Sequence, residues 1–251
     1  MAGLTLKNVE KIYPGGSVAV KDFTLEIDDG DFAVLAGPAE SGKSTVLRMI
    51  GGLEDISGGS IYIDGIRVDD LEPRERDVAM LFRNYIMFPQ MNVYENLAFG
   101  LKLGGCPKEE MDERVRETAK LLNLADILDK MPDEITELEK HRVAVGRAVA
   151  RRPKVFLLDD PMSHLDKDSA LCMRRGLMNI HKKLGTTIVY VTENAEEALA
   201  MATKIAVIRD GALEQTGIPS EILEHPANRF VAEYFGSPVV DFNEDFEEEE
   251  A

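Results

Sequence analysis

The strongest constraint in the sequence is the stretch GPAESGKS, from Gly37 to Ser44. It follows the apolar run FAVLAG, which is typical of a strand, and precedes GKSTVLRMIGGL, which is typical of a helix opened by glycine. In that setting the pattern G-x-x-x-x-G-K-[ST] binds phosphate, because N–H groups of the loop and of the helix start point at the anion. Lys43 would reach the terminal phosphates and the Ser44 hydroxyl would ligate Mg²⁺. A chance match in a glycine-rich turn is the alternative, and the strand–loop–helix setting disfavours it.

A second motif, VFLLDDP, supplies a further metal ligand. Asp159 ends a buried apolar run, and ligand sites of α/β proteins form at such strand ends. Asp159 and Ser44 would hold Mg²⁺ together, whereas a capped strand end is the alternative reading. A dinucleotide site is disfavoured because G-x-G-x-x-G is absent from this turn. The loop residues predicted to bind nucleotide are Gly37, Pro38, Ala39, Glu40, Ser41, Gly42, Lys43, Ser44 and Thr45.

Short apolar or alternating runs near both ends of the chain predict strands, and the middle predicts helices. Glu109 to Leu128 has apolar residues at mostly helical spacing, which indicates an amphipathic helix. The runs VFLL and TIVYV suit the middle of a parallel sheet, so the chain is predicted to be α/β. The predicted strands are Leu4 to Val9, Ala19 to Ile27, Phe32 to Gly37, Gly59 to Gly65, Lys154 to Asp159, Thr186 to Thr192 and Lys204 to Gln215.

Composition excludes several classes of protein. The net charge of −17 argues against nucleic acid as a partner, because binding to phosphate backbones needs a basic surface. No run approaches 18 apolar residues, and the first residues lack the pattern of a secretory signal. The two cysteines, Cys106 and Cys172, lack metal-ligand spacing and are expected to be reduced thiols.

With these motifs in place, the chain resembles the ATP-binding subunit of ABC transporters, specifically carbohydrate importers of the maltose type, over about residues 3–240. Tyr13 in KIYPGG matches the aromatic residue that stacks on adenine. The segment NYIMFPQMNVYENLAFGLK, residues 84–102, matches the part that receives the membrane subunit. RVAVGRAVARRPKVFLLDDPMSHLD, residues 142–166, matches the signature helix, the Walker B strand and the loop after it. PANRFVAEYFGSP, residues 226–238, matches the lead into a C-terminal regulatory domain, which we expect to be missing.

The resemblance implies a P-loop NTPase (RecA-like) core at residues 1–87 and 157–236, with an antiparallel β subdomain. A helical subdomain at 88–156 would carry the signature region, and 237–251 would form a solvated acidic tail. ATP and Mg²⁺ would lie between two head-to-tail protomers of a homodimer or heterodimer. The protein would be peripheral on the cytoplasmic face of the cell membrane, bound to permease subunits near residues 84–102.

The first departure from the family's pattern falls on its phosphate-binding signature. The family's LSGGQ aligns with ITELE, residues 135–139, so that Glu137 and Leu138 replace two glycines and obstruct close backbone approach to phosphate. Thr136 and Glu139 also have the spacing of a capping box. The donors at this helix start would then be satisfied within the chain, and we predict a structural cap here.

The other departures fall on residues around the terminal phosphate. Asp160 replaces the catalytic Glu and is one methylene shorter. Glu193 replaces the switch histidine, and an ionised carboxylate cannot donate a hydrogen bond to phosphate. Arg83 replaces a glutamine and is predicted to bind the terminal phosphate as a cation. Glu40 replaces a loop glycine, with an expected positive φ and weaker nucleotide binding.

Three hypotheses follow. The chain is an importer subunit driven by nucleotide binding, with weak hydrolysis; or it is a pseudo-ATPase that acts as a scaffold or regulator; or it is a soluble ABC-type ATPase without a transport role. The last usually involves two cassettes or long insertions, and the sequence has neither. Retention of Tyr13, Lys43, Ser44 and Asp159 favours binding of Mg-ATP, and the five departures argue against rapid turnover.

Overall fold

The chain folds into two β-sheets and a group of helices in a computed structural model that describes residues 2–84 and 86–237. The strands are β1 (Leu4–Ile12), β2 (Val18–Ile27), β3 (Phe32–Ala36), β4 (Gly58–Ile63), β5 (Ile66–Arg67), β6 (Val78–Leu81), β7 (Val155–Asp159), β8 (Thr187–Thr192), β9 (Lys204–Arg209) and β10 (Ala212–Gly217). The helices are α1 (Lys43–Ile50), α2 (Val93–Leu103), α3 (Lys108–Leu121), α4 (Glu137–Val149), α5 (Lys167–Leu184), α6 (Ala195–Met201), α7 (Pro219–Glu224) and α8 (Arg229–Phe235). Short 3₁₀ turns cover Pro73–Glu75, Ala125–Ile127 and Pro132–Glu134.

The larger sheet has the strand order β10-β9-β3-β8-β7-β6 and is parallel except for β10. The smaller sheet, in the order β2-β1-β4-β5, is antiparallel. Strand β3 shows how both faces of the larger sheet are covered. Phe32 and Val34 pack in the core beneath the helices, whereas Ala33 and Leu35 pack in the core shared with the smaller sheet and α1. Alternation of side chains along a strand therefore builds two cores from one element.

Two predicted elements are wrong in their extent, and two strands, β5 and β6, were not predicted. The predicted strand Lys204 to Gln215 is a hairpin, because Asp210 and Gly211 both have positive φ and form a two-residue turn between β9 and β10. The predicted helix Glu109 to Leu128 ends at Leu121, where Asn123 takes a left-handed conformation. The N–H of Leu124 then donates to the carbonyl of Ala119 at 2.8 Å, as in a Schellman cap.

The helical region between β6 and β7 contains α2, α3 and α4. Within the described residues, no helix combines the length and the apolar character that a membrane crossing requires. The predicted acidic tail, residues 237–251, lies outside the described residues except for Ser237.

Helix α4 packs against its neighbours at Gly146, which leaves no room for a side chain. A Cβ atom there would lie 2.6 Å from a methyl carbon of Leu97 and 2.9 Å from one of Leu122. Gly176 in α5 has no such neighbour within 4 Å. The two helical glycines therefore form a matched pair for testing the packing.

We expect Gly146→Ala to lower the free energy of unfolding by about 1–3 kcal/mol, because it overpacks the helical core. Gly176→Ala should raise it by about 0.5–1 kcal/mol, because alanine loses less backbone entropy in a helix. Chemical denaturation of both variants would measure these changes. An equal effect of the two substitutions would contradict the tight packing of α4.

Candidate nucleotide-binding site

The phosphate loop runs from the end of β3 to the first turn of α1, as predicted. Its backbone passes close to neighbouring chain at two glycines. A Cβ at Gly37 would lie 2.1 Å from the carbonyl oxygen of Ile208, and one at Gly42 would lie 2.6 Å from that of Ala19. Both positions therefore require glycine. Glu40 has φ of +61°, so the expected left-handed conformation is confirmed for a residue that carries a side chain.

Lys43 is the cation of the loop, and it is buried. Its Nζ donates to the carbonyl oxygen of Pro38 and, at 3.1 Å, to Oγ of Ser41. Burial lowers the pKa of Lys43, and the Glu193 carboxylate opposes that shift. The ammonium group therefore lies at the loop with its donors directed to loop oxygens.

Ser44 and Asp159 meet at the carboxyl end of β7. The Ser44 hydroxyl donates to Oδ1 of Asp159 at 2.7 Å, and Asp159 is buried. Mg²⁺ is commonly bound through one or two protein oxygens plus the oxygens of a phosphate substrate. A hydroxyl and a carboxylate beside the phosphate loop fit that ligand set.

These residues lie on one cleft of about 900 Å³. Of the fourteen predicted site residues, eleven line the cleft and three do not. The wall includes Tyr13, Glu40, Ser41, Gly42, Lys43, Ser44, Thr45, Arg83, Asp159, Asp160 and Glu193. Among the described residues, Gly37, Pro38 and Ala39 belong to the loop but do not line the cleft.

Sequence reasoning missed other parts of the wall, namely Ser17, Val18, Ala19, Arg48, Phe82, Asn84, Val191, Asp210 and Gly211. The turn at Gly211 supports the phosphate loop directly. Its N–H donates to the carbonyl of Ser41 at 3.0 Å, and its carbonyl accepts from the N–H of Lys21 at 2.9 Å. The Asp-Gly pair was the available signal, because it predicts a hairpin turn.

Tyr13 lies in the loop between β1 and β2. Its N–H donates to the carbonyl of Ser17 at 2.9 Å, and the Nζ atom of Lys11 lies 5.0 Å from its ring centroid. The ring is part of the cleft wall, where an aromatic face can stack on a base. Stacking on adenine stays a prediction.

Arg83 binds Asp160 in the structure. Its Nη2 atom lies 3.2 Å from Oδ2 of Asp160, and its Nε donates to Oγ of Ser163 at 3.0 Å. The Asp160 side chain is 11% exposed and that of Arg83 is 47% exposed. Burial raises the pKa of Asp160, and Arg83 opposes that shift. The cation predicted to bind phosphate is thus paired with Asp160, the carboxylate predicted to replace a catalytic Glu.

Glu193 follows β8, and its side chain lines the cleft. The next residue, Asn194, caps α6, because its Oδ1 accepts from the N–H groups of Glu196 at 2.9 Å and Glu197 at 3.3 Å. Because α6 begins there, Glu193 is held at the mouth of the cleft. A carboxylate at this place offers no hydrogen-bond donor to a terminal phosphate.

The start of α4 has the predicted capping box. Glu139 Oε2 accepts from the N–H of Thr136 at 2.7 Å, and the N–H of Glu139 donates to Oγ1 of Thr136 at 3.3 Å. The hydrogen bonds from Thr136 lower the pKa of Glu139. The side chain of Glu137 pairs with Lys140 at 2.6 Å. The first turn of α4 therefore carries two carboxylates, and the N–H groups of Thr136 and Glu139 are satisfied within the chain.

A P-loop core, a Ser–Asp pair beside it and an inserted helical region define a nucleotide-binding domain. A sequence model described as ABC transporter matches residues 20–163 of the chain. The chain is 47% identical over 242 residues to the oligosaccharides import ATP-binding protein MsmX of Bacillus subtilis (strain 168), covering 96% of this chain and 66% of that protein. It is 46% identical over 238 residues to the sn-glycerol-3-phosphate import ATP-binding protein UgpC of Rhodopseudomonas palustris (strain BisB18), covering 95% and 65%.

Among solved structures, the chain is similar to a dimeric, post-hydrolysis state of the ATP-binding cassette MJ0796 bound to ADP and Pi. The TM-score is 0.74 at 30% identity, with 86% of this chain and 98% of that chain covered. The chain belongs to the ABC transporter family, and it is an ATP-binding domain of that family with the predicted α/β fold. It spans about two thirds of the length of the curated relatives it matches.

Proposed function

We propose that the chain is the ATP-binding subunit of an ABC importer for a carbohydrate-type solute, and that it binds Mg-ATP but hydrolyses it slowly. The observation that carries the proposal is the pairing of Arg83 with Asp160 beside a phosphate loop that retains Lys43 and Ser44. Lys43, Ser44 and Asp159 can hold a nucleotide and its metal. Asp160, which aligns with the family's catalytic Glu, is one methylene shorter than Glu and is paired with the Arg83 guanidinium.

The importer part of the proposal is supported by the relatives, both of which are import ATP-binding proteins. Binding of ATP would close a dimer, either of two copies or of this chain with another ABC subunit, as the dimeric state of MJ0796 suggests. Closure would drive a membrane permease, with the chain peripheral on the cytoplasmic face of the membrane.

A second groove, of about 480 Å³, supports the contact with a permease. It lies between β6, α2 and α4, and part of its wall belongs to residues 84–102, the segment predicted for this role. Ile86 and Leu103 on its wall are each 74% exposed. Phe88 lies against Phe99 with ring centroids 4.3 Å apart, and the Arg147 guanidinium lies 5.1 Å from the Phe88 ring. An apolar groove with a basic edge suits the end of a partner helix.

A buried asparagine shapes this groove. The Asn96 side chain accepts from the N–H of Phe88 at 3.0 Å and donates to the carbonyls of Met91 at 2.8 Å and Asn92 at 3.0 Å. These bonds fix the segment before α2 against the helix. The docking surface is therefore held in place by the chain itself.

The alternative function, a catalytically dead pseudo-ATPase that acts as a scaffold or regulator, is supported by a different observation. The capping box at Thr136 and Glu139 satisfies the helix start that would bind the partner's phosphate. A dimer of two such chains would then lack the signature contact at both nucleotides. Binding of a nucleotide would remain while turnover would be absent.

Steady-state phosphate release with Mg-ATP tests the proposal. A typical enzyme turns over about 10 times per second, and a misplaced base costs on the order of 10²-fold, so we expect roughly 0.1 per second or less. Lys43→Ala should abolish both this turnover and nucleotide binding. Rapid release that depends on Lys43 would overturn slow hydrolysis. Binding with release no faster than that of Lys43→Ala would establish the pseudo-ATPase instead.

A further inference from the structure

One tyrosine outside the cleft joins two segments that border it. The Tyr234 hydroxyl, on α8, accepts from the N–H of Gly37 at 3.1 Å and donates to the carbonyl of Glu193 at 2.8 Å. Gly37 opens the phosphate loop after β3, and Glu193 follows β8. Because β3 and β8 are paired in parallel, both segments leave the same edge of the sheet. A single hydroxyl therefore bridges the two segments just beyond the last paired residues, Ala36 and Thr192.

The direction of both hydrogen bonds is fixed by chemistry. A backbone carbonyl only accepts, so the phenol O–H must donate to Glu193, and its oxygen is then the acceptor for Gly37. Burial raises the pKa of Tyr234 to about 12, so the phenol keeps its proton at neutral pH. Phenylalanine at this position would make neither bond.

Helix α8 is anchored well enough to hold the hydroxyl in place. Asn228 caps the helix by accepting from the N–H of Val231 at 3.0 Å, and it donates to Oε2 of Glu214 on β10 at 2.7 Å. The Phe230 ring lies next to Tyr234, with centroids 5.9 Å apart, and below the Arg209 guanidinium at 4.8 Å. Helix α8, which carries the tyrosine, is thus attached to the β9–β10 hairpin.

The segment that Tyr234 holds carries a carboxylate into the nucleotide cleft. Glu193 lines the same cleft as Lys43 and Asp159. A negative side chain near the terminal phosphate repels ATP more than ADP, because ADP lacks that phosphate. Because the backbone of Glu193 is tied to α8, its carboxylate is kept within reach of the cleft.

We propose that Tyr234 is a positioning residue that holds Glu193 against the terminal phosphate of a bound nucleotide and so reduces the preference for ATP over ADP. This inference rests on the proposed nucleotide binding. It assigns to α8 a role in nucleotide discrimination that acts through Glu193. Tyr234 itself touches no phosphate.

Equilibrium titrations of the full chain with Mg-ATP and Mg-ADP test the role of Tyr234. Tyr234→Phe should raise the ratio of the ADP to the ATP dissociation constant by roughly two- to tenfold, the range that the loss of one hydrogen bond corresponds to. Tyr62→Phe on β4, outside the cleft wall, is the matched control and should leave the ratio unchanged. If Tyr234 were merely structural, Tyr234→Phe would lower the melting temperature and weaken the binding of both nucleotides equally.

A double-mutant cycle tests whether Tyr234 affects nucleotide binding through Glu193. Glu193→Gln, which keeps the tyrosine, should raise the same ratio by itself, and Tyr234→Phe should add nothing in that background. An unchanged ratio in either single variant, or an equal effect of Tyr234→Phe with and without Glu193, overturns the inference while nucleotide binding stands. Failure of the unmodified chain to bind either nucleotide overturns the proposed function and this inference with it.

Discussion

Steady-state ATP turnover is expected to rise by at least about 10²-fold when the altered contact points are restored together. Glu193→His returns a donor of a kind whose loss typically costs about 10²–10³ in turnover. Asp160→Glu returns the reach of the base, and Arg83→Gln removes the guanidinium that lies 3.2 Å from it. The change at α4 replaces Thr136, Glu137, Leu138 and Glu139 by Ser, Gly, Gly and Gln, which reopens the helix start.

Three sets of variants are compared: the cleft substitutions at residues 83, 160 and 193, the α4 substitutions at residues 136–139, and both together. The cleft substitutions alone and the α4 substitutions alone should each have a small effect, because residues that act as a unit are not additive. Phosphate release is the measurement, and Lys43→Ala added to the combined variant must abolish the gain. If the combined variant binds ATP but remains inert, restoration of these points is not sufficient, and the strained Glu40 in the phosphate loop becomes the next residue to replace.

Asp159→Asn is expected to remove most of the Mg²⁺ dependence of ATP binding. In the unmodified chain, Mg²⁺ should strengthen ATP binding about 10–100-fold, the range over which changes at metal sites act. The variant should bring the ratio of dissociation constants with and without Mg²⁺ close to one. The reason is that an amide at this place cannot supply the charge of the carboxylate that now accepts from Ser44 at 2.7 Å.

The matched control for the metal site is Asp64→Asn. Asp64 lies in the exposed turn after β4 and pairs with Lys154 at 3.2 Å, away from the cleft. Asp64→Asn changes the net charge by the same amount as Asp159→Asn, so it controls for long-range electrostatics. Equal Mg²⁺ dependence in the unmodified chain and in Asp159→Asn would contradict the assignment of Asp159 as a metal ligand.

Several features of the site could be predicted because they depend on residues close together in the chain. The phosphate loop needs a strand, a glycine-rich turn and a helix start in sequence, and the structure has them in that order. The capping box of α4 joins Thr136 and Glu139, which are three positions apart. The left-handed Glu40 follows from a position where the family has glycine.

Two errors in the predicted elements have different causes, one local and one tertiary. The Asp210–Gly211 turn divides a predicted strand because both residues adopt positive φ. Strand β6, Val78–Leu81, was missed because four residues show no usable periodicity; its parallel pairing with β7 makes it a strand.

The class of fold, the nucleotide loop and the pairing of Ser44 with Asp159 are predictable from the sequence, since local backbone geometry and buried apolar runs encode them. The contacts of the altered residues, in contrast, depend on the tertiary structure. Arg83 lies far from Ser163 in the chain yet donates to it at 3.0 Å, and Tyr234 reaches Gly37 across 197 positions. Such contacts depend on which strands become neighbours in the sheet, and no short-range pattern in one sequence specifies that choice.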